Sequence, residues 1–97
     1  MADIIPLEQE QLPADCYVYK HSTACHICVG TAQVVRSYPF DRPVYWVNVI
    51  EQRPLSNWIA DAYGVRHQSP QLLKIGGGRV EAHWSHYDIA PASLSAH

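Results

Sequence analysis

The chain has 97 residues, a formal net charge of −2 with neutral histidines, and a hydrophobic content of 47% that includes three tryptophans. A chain of this length can bury one small core, so we expect a single domain over residues 1–97. The lack of a basic surplus argues against nucleic acid and anionic membrane as partners. The chain start lacks the basic and apolar regions of a signal peptide, which favours a cytoplasmic location.

The first half of the chain predicts a strand, a helix and a second strand. Residues 1–15 hold apolar residues without a clear period and predict a short strand or helix at the edge of the fold. Residues 16–20 are rich in aromatic and β-branched types, which indicates a strand. Apolar residues then recur at helical spacing from Ile27 until Pro39 ends the run. The nearly continuous apolar run at 44–50 suits a strand covered on both faces, as in a parallel sheet.

The second half predicts a helix, a hairpin and a short final helix. Apolar residues at 55–63 follow the helical period, with Ser56 as a candidate N-cap and Gly64 as the residue that ends the helix. Residues 71–84 predict two strands joined at three consecutive glycines. Pro91 fits the first position of a C-terminal helix. The predicted order is β-α-β-α-β-β-α, an α/β fold with a mixed central sheet.

The stretch Cys25-His26-Ile27-Cys28 lies at the junction of the first main strand and the first helix. A CxxC pair at such a junction is typical of a thioredoxin-like redox site. Unpaired N–H groups at the helix start and the helix dipole would stabilise a Cys25 thiolate. Cys28, one turn further, would be close enough to attack a mixed disulfide on Cys25. A protonated His21 or His26 would favour the thiolate further.

Two other interpretations of the pair remain open. A zinc site would need four ligands and could recruit Cys16, His21 or His26, although no second pair occurs at ligand spacing. The cysteines could instead be buried and silent, in a domain that acts as an adaptor. Because structural disulfides are rare in the cytoplasm, a close pair there favours a catalytic or a metal-binding role. The lack of a second ligand pair then leads us to favour a redox dithiol without a metal or bound cofactor. Cys16, within the predicted strand, is interpreted as a core residue.

A second landmark is Ser69-Pro70, directly before the first strand of the hairpin. Proline is tolerated at the start of a strand, and the X-Pro bond is the one that adopts the cis form at low cost. A cis bond would leave the preceding backbone groups free to pair with a substrate strand. The alternative is a trans proline that merely starts the strand. We expect a cis bond, with Ser69 and Pro70 docking the substrate backbone.

Three separated stretches carry a family resemblance: KHSTACHI, RPLSNWIADAYGVRHQSPQLL and WSHYDI. In this order they resemble the YtxJ-type bacilliredoxins, thioredoxin-fold proteins of the bacillithiol system, over about residues 16–89. The resemblance implies a thioredoxin-like fold, a nucleophile at Cys25 and a cis-proline at Pro70. It also implies an activity that removes bacillithiol from modified protein cysteines. The family usually has Cys-Pro-Ile-Ser here, so His26 and Cys28 are departures that restore a dithiol route.

The predicted function is that of a thiol–disulfide oxidoreductase with a low-molecular-weight thiol as co-substrate. The Cys25 thiolate would attack a disulfide between a substrate cysteine and a small thiol or a second protein cysteine, and Cys28 or another small thiol would resolve the intermediate. Arg53, Ser85 and His86 are candidates for holding the carboxylate of the thiol. The expected partners are proteins with mixed disulfides and a small thiol such as bacillithiol.

Overall fold

A computed structural model describes residues 3–23 and 26–95, with the side chains of residues 26–28 outside the description. Its strands are β1 (Ile4–Pro6), β2 (Cys16–His21), β3 (Val44–Asn48), β4 (Gln71–Gly76) and β5 (Arg79–Ser85). Its α-helices are α1 (His26–Ser37), α2 (Arg53–Tyr63) and α3 (Pro91–Ser95), and a 3-10 helix covers His86–Asp88. The predicted order is confirmed, and the N-terminal segment contributes the extra strand β1.

The five strands form one mixed sheet in the order β1-β3-β2-β4-β5. Strand β3 is parallel to both β1 and β2, whereas β4 is antiparallel to β2 and to β5. The position of β3 between two neighbours agrees with its nearly continuous apolar sequence. Strand β5 is an edge strand, and its alternating exposure matches its alternating sequence.

The helices cover both faces of the sheet. One face carries a buried cluster that joins strand residues to α1 and α3, including Tyr17, Tyr19, Val35, Leu72 and Leu94. The opposite face carries a second cluster that includes Val18, Val47, Ile59, Leu73 and Ile75, with Ile59 supplied by α2. Successive residues of a strand point to opposite faces, so β2 contributes alternately to the two clusters. We call these sides the α1 face and the α2 face.

The start of α2 differs from the prediction. The helix begins at Arg53 with Gln52 as its N-cap, so Ser56 lies inside the helix and is buried. The predicted capping role of Ser56 is therefore wrong. Pro54 accounts for the earlier start, because proline fits the first turn of a helix, where its missing N–H costs no hydrogen bond. The predicted end is confirmed at Gly64, which has a φ of 64° in the left-handed region.

The turn between β4 and β5 uses glycine where the backbone requires it. Gly77 and Gly78 have φ values of 61° and 78°, a region that glycine occupies without the cost of a Cβ clash. The Gly77 N–H donates to Asp15 Oδ1 at 3.1 Å, which ties the turn to the segment before β2. No helix in the described part of the chain is long and apolar enough to cross a membrane.

Candidate active site

The ends of three neighbouring strands bring several of the predicted site residues together on one side of the sheet. The register pairs Lys20 at the end of β2 with Gln71 at the start of β4, and Gln71 with Ser85 at the end of β5. Ser69 and Pro70 directly precede Gln71, so they lie beside the end of β2. We call this region the site edge. It is also the edge from which the chain continues into the CxxC segment.

The cysteine pair lies only partly within the described structure. Strand β2 ends at His21 and α1 begins at His26, so the predicted strand–helix junction is confirmed. Cys25, the predicted nucleophile, lies outside the described residues. The backbone of Cys28 lies in the first turn of α1, and its side chain, like that of His26, is outside the description.

The Ser69-Pro70 peptide bond is cis, as predicted. Pro70 is fully buried, and its carbonyl oxygen accepts a hydrogen bond of 3.0 Å from the backbone N–H of His86. The Ser69 hydroxyl is also buried, yet it has no hydrogen-bond partner within the described residues. Buried hydroxyls are nearly always paired, so this group stands out beside the proline.

Two of the three predicted carboxylate-binding residues line one groove. Ser85 ends β5 and His86 follows with a φ of 54°, and both line a groove of about 430 Å³ together with Gln71. Arg53 is exposed at the start of α2 and is not among the residues that line this groove. Its positive charge nevertheless acts on His67, which belongs to the loop that borders the groove.

His21 has a different environment from the one predicted. Its ring packs against Trp46 with the ring centroids 5.1 Å apart, and its Nδ1 lies 3.4 Å from the Tyr19 hydroxyl. Burial, and after it the positive charge of Arg36, lowers the pKa of His21 from its ordinary value of 6.5. The ring is therefore neutral near pH 7, so the protonated form of His21 that would favour the thiolate belongs to more acidic pH.

Lys20 is the site-edge residue that sequence reasoning missed. Its side chain is 0% exposed, and its ammonium donates to the Ser56 carbonyl oxygen at 3.1 Å and to His67 Nδ1 at 3.2 Å. No carboxylate within the described part of the chain forms an ion pair with it. Burial lowers its pKa to about 8, so it remains mostly protonated near pH 7. The sequence offered one signal for this residue, which is a lysine within a strand otherwise rich in aromatic and β-branched residues.

Cys16 is a core residue, as predicted. It is fully buried on the α2 face, and its Sγ lies 3.7 Å from the Pro13 carbonyl oxygen. Burial raises its pKa from 9.0 to about 11, which makes the thiolate scarce near neutral pH and the side chain a poor nucleophile. Within the described residues, which leave out Cys25, no group of three or more His, Cys, Asp or Glu side chains could hold a metal ion.

Comparison with known proteins assigns the family. A model of the monothiol bacilliredoxin BrxC family matches residues 2–94. The chain belongs to this family. The members of the family are redox proteins, and a structural neighbour of the chain is described as an oxidoreductase. This bacilliredoxin is accordingly a thiol–disulfide oxidoreductase.

Solved structures show the same fold. A protein described provisionally as an oxidoreductase with a thioredoxin fold has a TM-score of 0.84 and 26% identity, covering 96% of this chain and 91% of its own. A variant thioredoxin from Halobacterium salinarum NRC-1 has a TM-score of 0.73 and 20% identity, with 97% and 86% covered. Thioredoxin O2 from Arabidopsis thaliana has a TM-score of 0.70 and 21% identity, with 98% and 90% covered. The predicted thioredoxin-like fold is confirmed.

This bacilliredoxin differs from the description of its family at one position. The family is described as monothiol, whereas this member has a second cysteine, Cys28, three positions after Cys25. A second thiol on the first turn of α1 makes an intramolecular resolving step chemically available. Whether Cys28 takes part in the reaction decides between a monothiol and a dithiol mechanism.

Proposed function

We propose that this bacilliredoxin removes a low-molecular-weight thiol, such as bacillithiol, from modified protein cysteines, and that it also reduces protein disulfides. Cys25 is the nucleophile and Cys28 the resolving thiol. The observation that supports this proposal is that β2 ends at His21 and α1 begins at His26, so the CxxC motif falls at a strand–helix junction. The end of β2 pairs with the start of β4, which Ser69-Pro70 directly precedes. A thiol at a helix start is more acidic than an ordinary thiol, and a strand start beside it offers backbone groups to a bound peptide.

The first step transfers the small thiol to the enzyme. The Cys25 thiolate attacks the small-thiol sulfur of the mixed disulfide, the original S–S bond breaks, and the protein cysteine leaves as a thiolate. The product is a protein with its cysteine reduced and a new mixed disulfide on Cys25. His26, directly after Cys25 in sequence, is proposed to favour the thiolate by its positive charge when protonated.

The second step has two routes. In the dithiol route the Cys28 thiolate attacks the Cys25 sulfur, the small thiol leaves as a thiolate, and a Cys25–Cys28 disulfide forms. A dithiol reductant then returns this disulfide to two thiols. In the monothiol route a second small thiol attacks the sulfur of the bound one, Cys25 leaves as a thiolate, and the small thiol is released as its own disulfide.

The substrate is proposed to bind along the site edge. Ser69 and Pro70 dock the peptide backbone, and the Ser69 hydroxyl, which has no partner within the described residues, would gain one there. Ser85 and His86 line the adjoining groove, where they are candidates for holding the carboxylate of the small thiol. Arg53 does not line this groove but acts on His67 in the loop beside it, so it remains a third candidate for that carboxylate. We place these partners and the enzyme in the cytoplasm.

The test uses a fluorescent peptide whose single cysteine is joined to bacillithiol in a mixed disulfide. With excess bacillithiol, wild-type protein is expected to release the free peptide, measured by liquid chromatography and mass spectrometry. Cys25→Ser should reduce the release to the rate seen with bacillithiol alone, because Cys25 is the proposed nucleophile and Cys28 acts only after the mixed disulfide on Cys25 has formed. Cys16→Ser is the matched control and should keep full activity, because Cys16 is buried and poorly ionised. Equal losses in the two variants at unchanged folding would contradict the proposal.

A further inference from the structure

The loop between α2 and β4 carries Ser69 and Pro70, and hydrogen bonds tie it to several neighbouring elements. We call residues 64–70 the docking loop. The Gln71 Nε2 donates to the Arg66 carbonyl oxygen at 3.0 Å, and the His86 backbone N–H donates to the Pro70 carbonyl oxygen at 3.0 Å. These two bonds connect neutral groups. Two others meet at His67 Nδ1, which lies 3.2 Å from the Lys20 ammonium on β2 and 3.2 Å from the Ser56 hydroxyl on α2, so these are the bonds that contain titratable side chains.

The hydrogen-bonding capacity of lysine fixes the state of His67. An ammonium group has only donors, so His67 Nδ1 must accept from Lys20 and the proton of the neutral ring must lie on Nε2. The Ser56 hydroxyl also lies 3.2 Å from His67 Nδ1, on the same side of the ring. The backbone carbonyl of Ser56 accepts from Lys20 at 3.1 Å, which anchors the ammonium to α2. Lys20 thus connects β2, α2 and the docking loop.

The stability of the fold does not account for a lysine at this position. A buried cation without a carboxylate partner loses its hydration and gains only neutral acceptors in return. An apolar side chain of similar length would fill the same space on the α2 face without that loss. Such a locally unfavourable choice next to the site edge points to a functional role.

We propose that Lys20 is a positioning residue that holds the docking loop, through His67, in the place where Ser69 and Pro70 receive the substrate, and that acidification releases this hold. The proposal rests on the proposed function, because the loop matters only if it docks the substrate. Protonation of His67 places a proton on Nδ1, so two donors and two positive charges then face each other. The Lys20–His67 hydrogen bond is lost and the loop is freed from β2, whereas the protonated Nδ1 can still donate to the Ser56 hydroxyl on α2.

The charges around His67 set the pH at which this happens. The groups that act on it are Lys20 from β2 and Arg53 from the start of α2, and both are positive. Burial first, and then these two charges, lower the pKa of His67 from its ordinary value of 6.5. The loop is therefore held near pH 7 and released at more acidic pH. Above pH 8 the neutral Lys20 amine still has N–H donors, so alkaline pH leaves the hydrogen bond in place.

The test compares KM and kcat of three variants for the peptide–bacillithiol mixed disulfide between pH 5 and pH 8. Lys20→Met should raise KM about tenfold at pH 7.5, the loss expected for one hydrogen bond to a charged group, with a smaller change in kcat. Lys74→Met is the matched control, because Lys74 lies toward the opposite end of β4 and should show wild-type KM. His67→Asn places an amide oxygen near the position of Nδ1, so it keeps the acceptor but does not titrate.

The pH profile separates this inference from ordinary thiol chemistry. In wild type, KM should rise as pH falls through the pKa of His67, whereas in His67→Asn it should stay flat. The alkylation rate of Cys25 with iodoacetamide, measured over the same pH range, reports the thiolate and should have the same pH profile in both proteins. A KM in Lys20→Met equal to that of wild type, or the same acid rise of KM in His67→Asn, would overturn the proposal.

A measurement without turnover keeps the inference apart from the proposed function. In NMR spectra of wild-type protein, the His67 ring should be in the Nε2–H form at pH 7.5. The backbone amide signals of residues 66–69 should shift with the His67 titration, and these shifts should be absent in His67→Asn. If the wild type fails to release the peptide, the proposed function is wrong, while the amide titration still decides whether the loop is held as proposed. Amide signals of residues 66–69 that do not shift as His67 titrates would refute the proposal that Lys20 holds the loop through His67.

Discussion

Lys20 and His21 are neighbouring basic residues at the end of β2, and they lie on opposite faces of the sheet. His21 packs among aromatic rings on the α1 face and is neutral near pH 7, because burial and Arg36 lower its pKa. Lys20 is buried on the α2 face between neutral acceptors, and its lowered pKa of about 8 still leaves it charged near pH 7. Burial therefore leaves His21 uncharged near pH 7, whereas Lys20 keeps its positive charge at the same pH although it is also buried.

The two faces accordingly have different proposed roles at the site edge. The α1 face is covered by the helix that follows Cys25 in the chain, so the proposed thiol exchange belongs to that side. The α2 face holds the loop that is proposed to dock the substrate. Substitutions on the two faces should therefore affect different quantities: rates on the α1 face, and KM together with pH-dependent stability on the α2 face.

The largest effect is expected from Cys28→Ser, which removes the second thiol from the first turn of α1. Reduction of a protein–protein disulfide should fall about a hundredfold, because fast intramolecular resolution is replaced by attack from solution. Removal of bacillithiol from a peptide should persist when free bacillithiol is in excess. Both rates are measured by mass spectrometry on one substrate of each kind. Equal rates for wild type and variant on both substrates would mean that the enzyme works as a monothiol protein.

On the α2 face, Lys20→Met should change how stability depends on pH. The lysine pKa falls from 10.5 in the unfolded chain to about 8 in the fold, so the unfolded chain binds more protons between these values. The contribution of Lys20 to stability therefore rises with pH across this window and is lost as pH falls through 8. Lys20→Met should lack this rise and be more stable than wild type near pH 7, by on the order of 2 kcal/mol.

The measurement is urea unfolding of both proteins at several pH values from 7 to 10.5. Burial raises the pKa of Cys16, Tyr17 and Tyr63, and these groups lower stability as pH rises through their titration. They are present in both proteins, so their effect cancels in the difference between wild type and variant. A constant difference over the whole range would mean that Lys20 is not desolvated in the fold.

Ser69→Ala separates binding from folding in the docking loop. The Ser69 hydroxyl is buried without a partner within the described residues, so its removal should leave stability unchanged or raise it by up to about 1 kcal/mol. If the hydroxyl binds substrate, KM for the peptide mixed disulfide should rise about threefold, the loss of a weak neutral hydrogen bond. Unfolding curves and steady-state kinetics on the same preparation test both parts. A marked loss of stability would show that the hydroxyl has a structural partner.

Much of this fold follows from local sequence patterns. The spacing of the apolar residues and the positions of the turn residues predict the main helices and strands, because these elements depend on neighbouring residues and on one buried face. The N-cap assignment of Ser56 failed for a local reason, since Pro54 allows the helix to start a few residues earlier. The cis bond at Pro70 was predicted because an X-Pro bond adopts the cis form at low cost and because this loop resembles the one opposite the dithiol in thioredoxin folds.

The α2 side of the site was not predictable in this way. The Lys20–His67 pair joins residues 47 positions apart, and the bond from Lys20 to the Ser56 carbonyl spans 36 positions. Such contacts come from the packing of a helix and a loop onto a strand, and no local pattern in the sequence encodes them. The same limit applies to the carboxylate-binding candidates, because no local pattern shows that Ser85 and His86 line the groove whereas Arg53 does not.

The smallest effect is expected from His21→Phe, which tests the neutral state of this histidine directly. A phenyl ring keeps the stacking on Trp46, and the Tyr19 hydroxyl keeps its 2.8 Å hydrogen bond to Thr31 Oγ1. Stability should therefore change by less than about 1 kcal/mol.

Because His21 is uncharged near pH 7, its loss should shift the pKa of the Cys25 thiol by less than about half a unit, whereas removal of a nearby positive charge would raise it by about one unit or more. The pKa is measured from the rate of iodoacetamide alkylation of Cys25 between pH 5 and pH 9, with Cys25 identified by mass spectrometry. A rise of a full unit would show that His21 is protonated beside the thiolate. The α1 face of β2 would then also carry a positive charge near pH 7, contrary to the contrast drawn between His21 and Lys20.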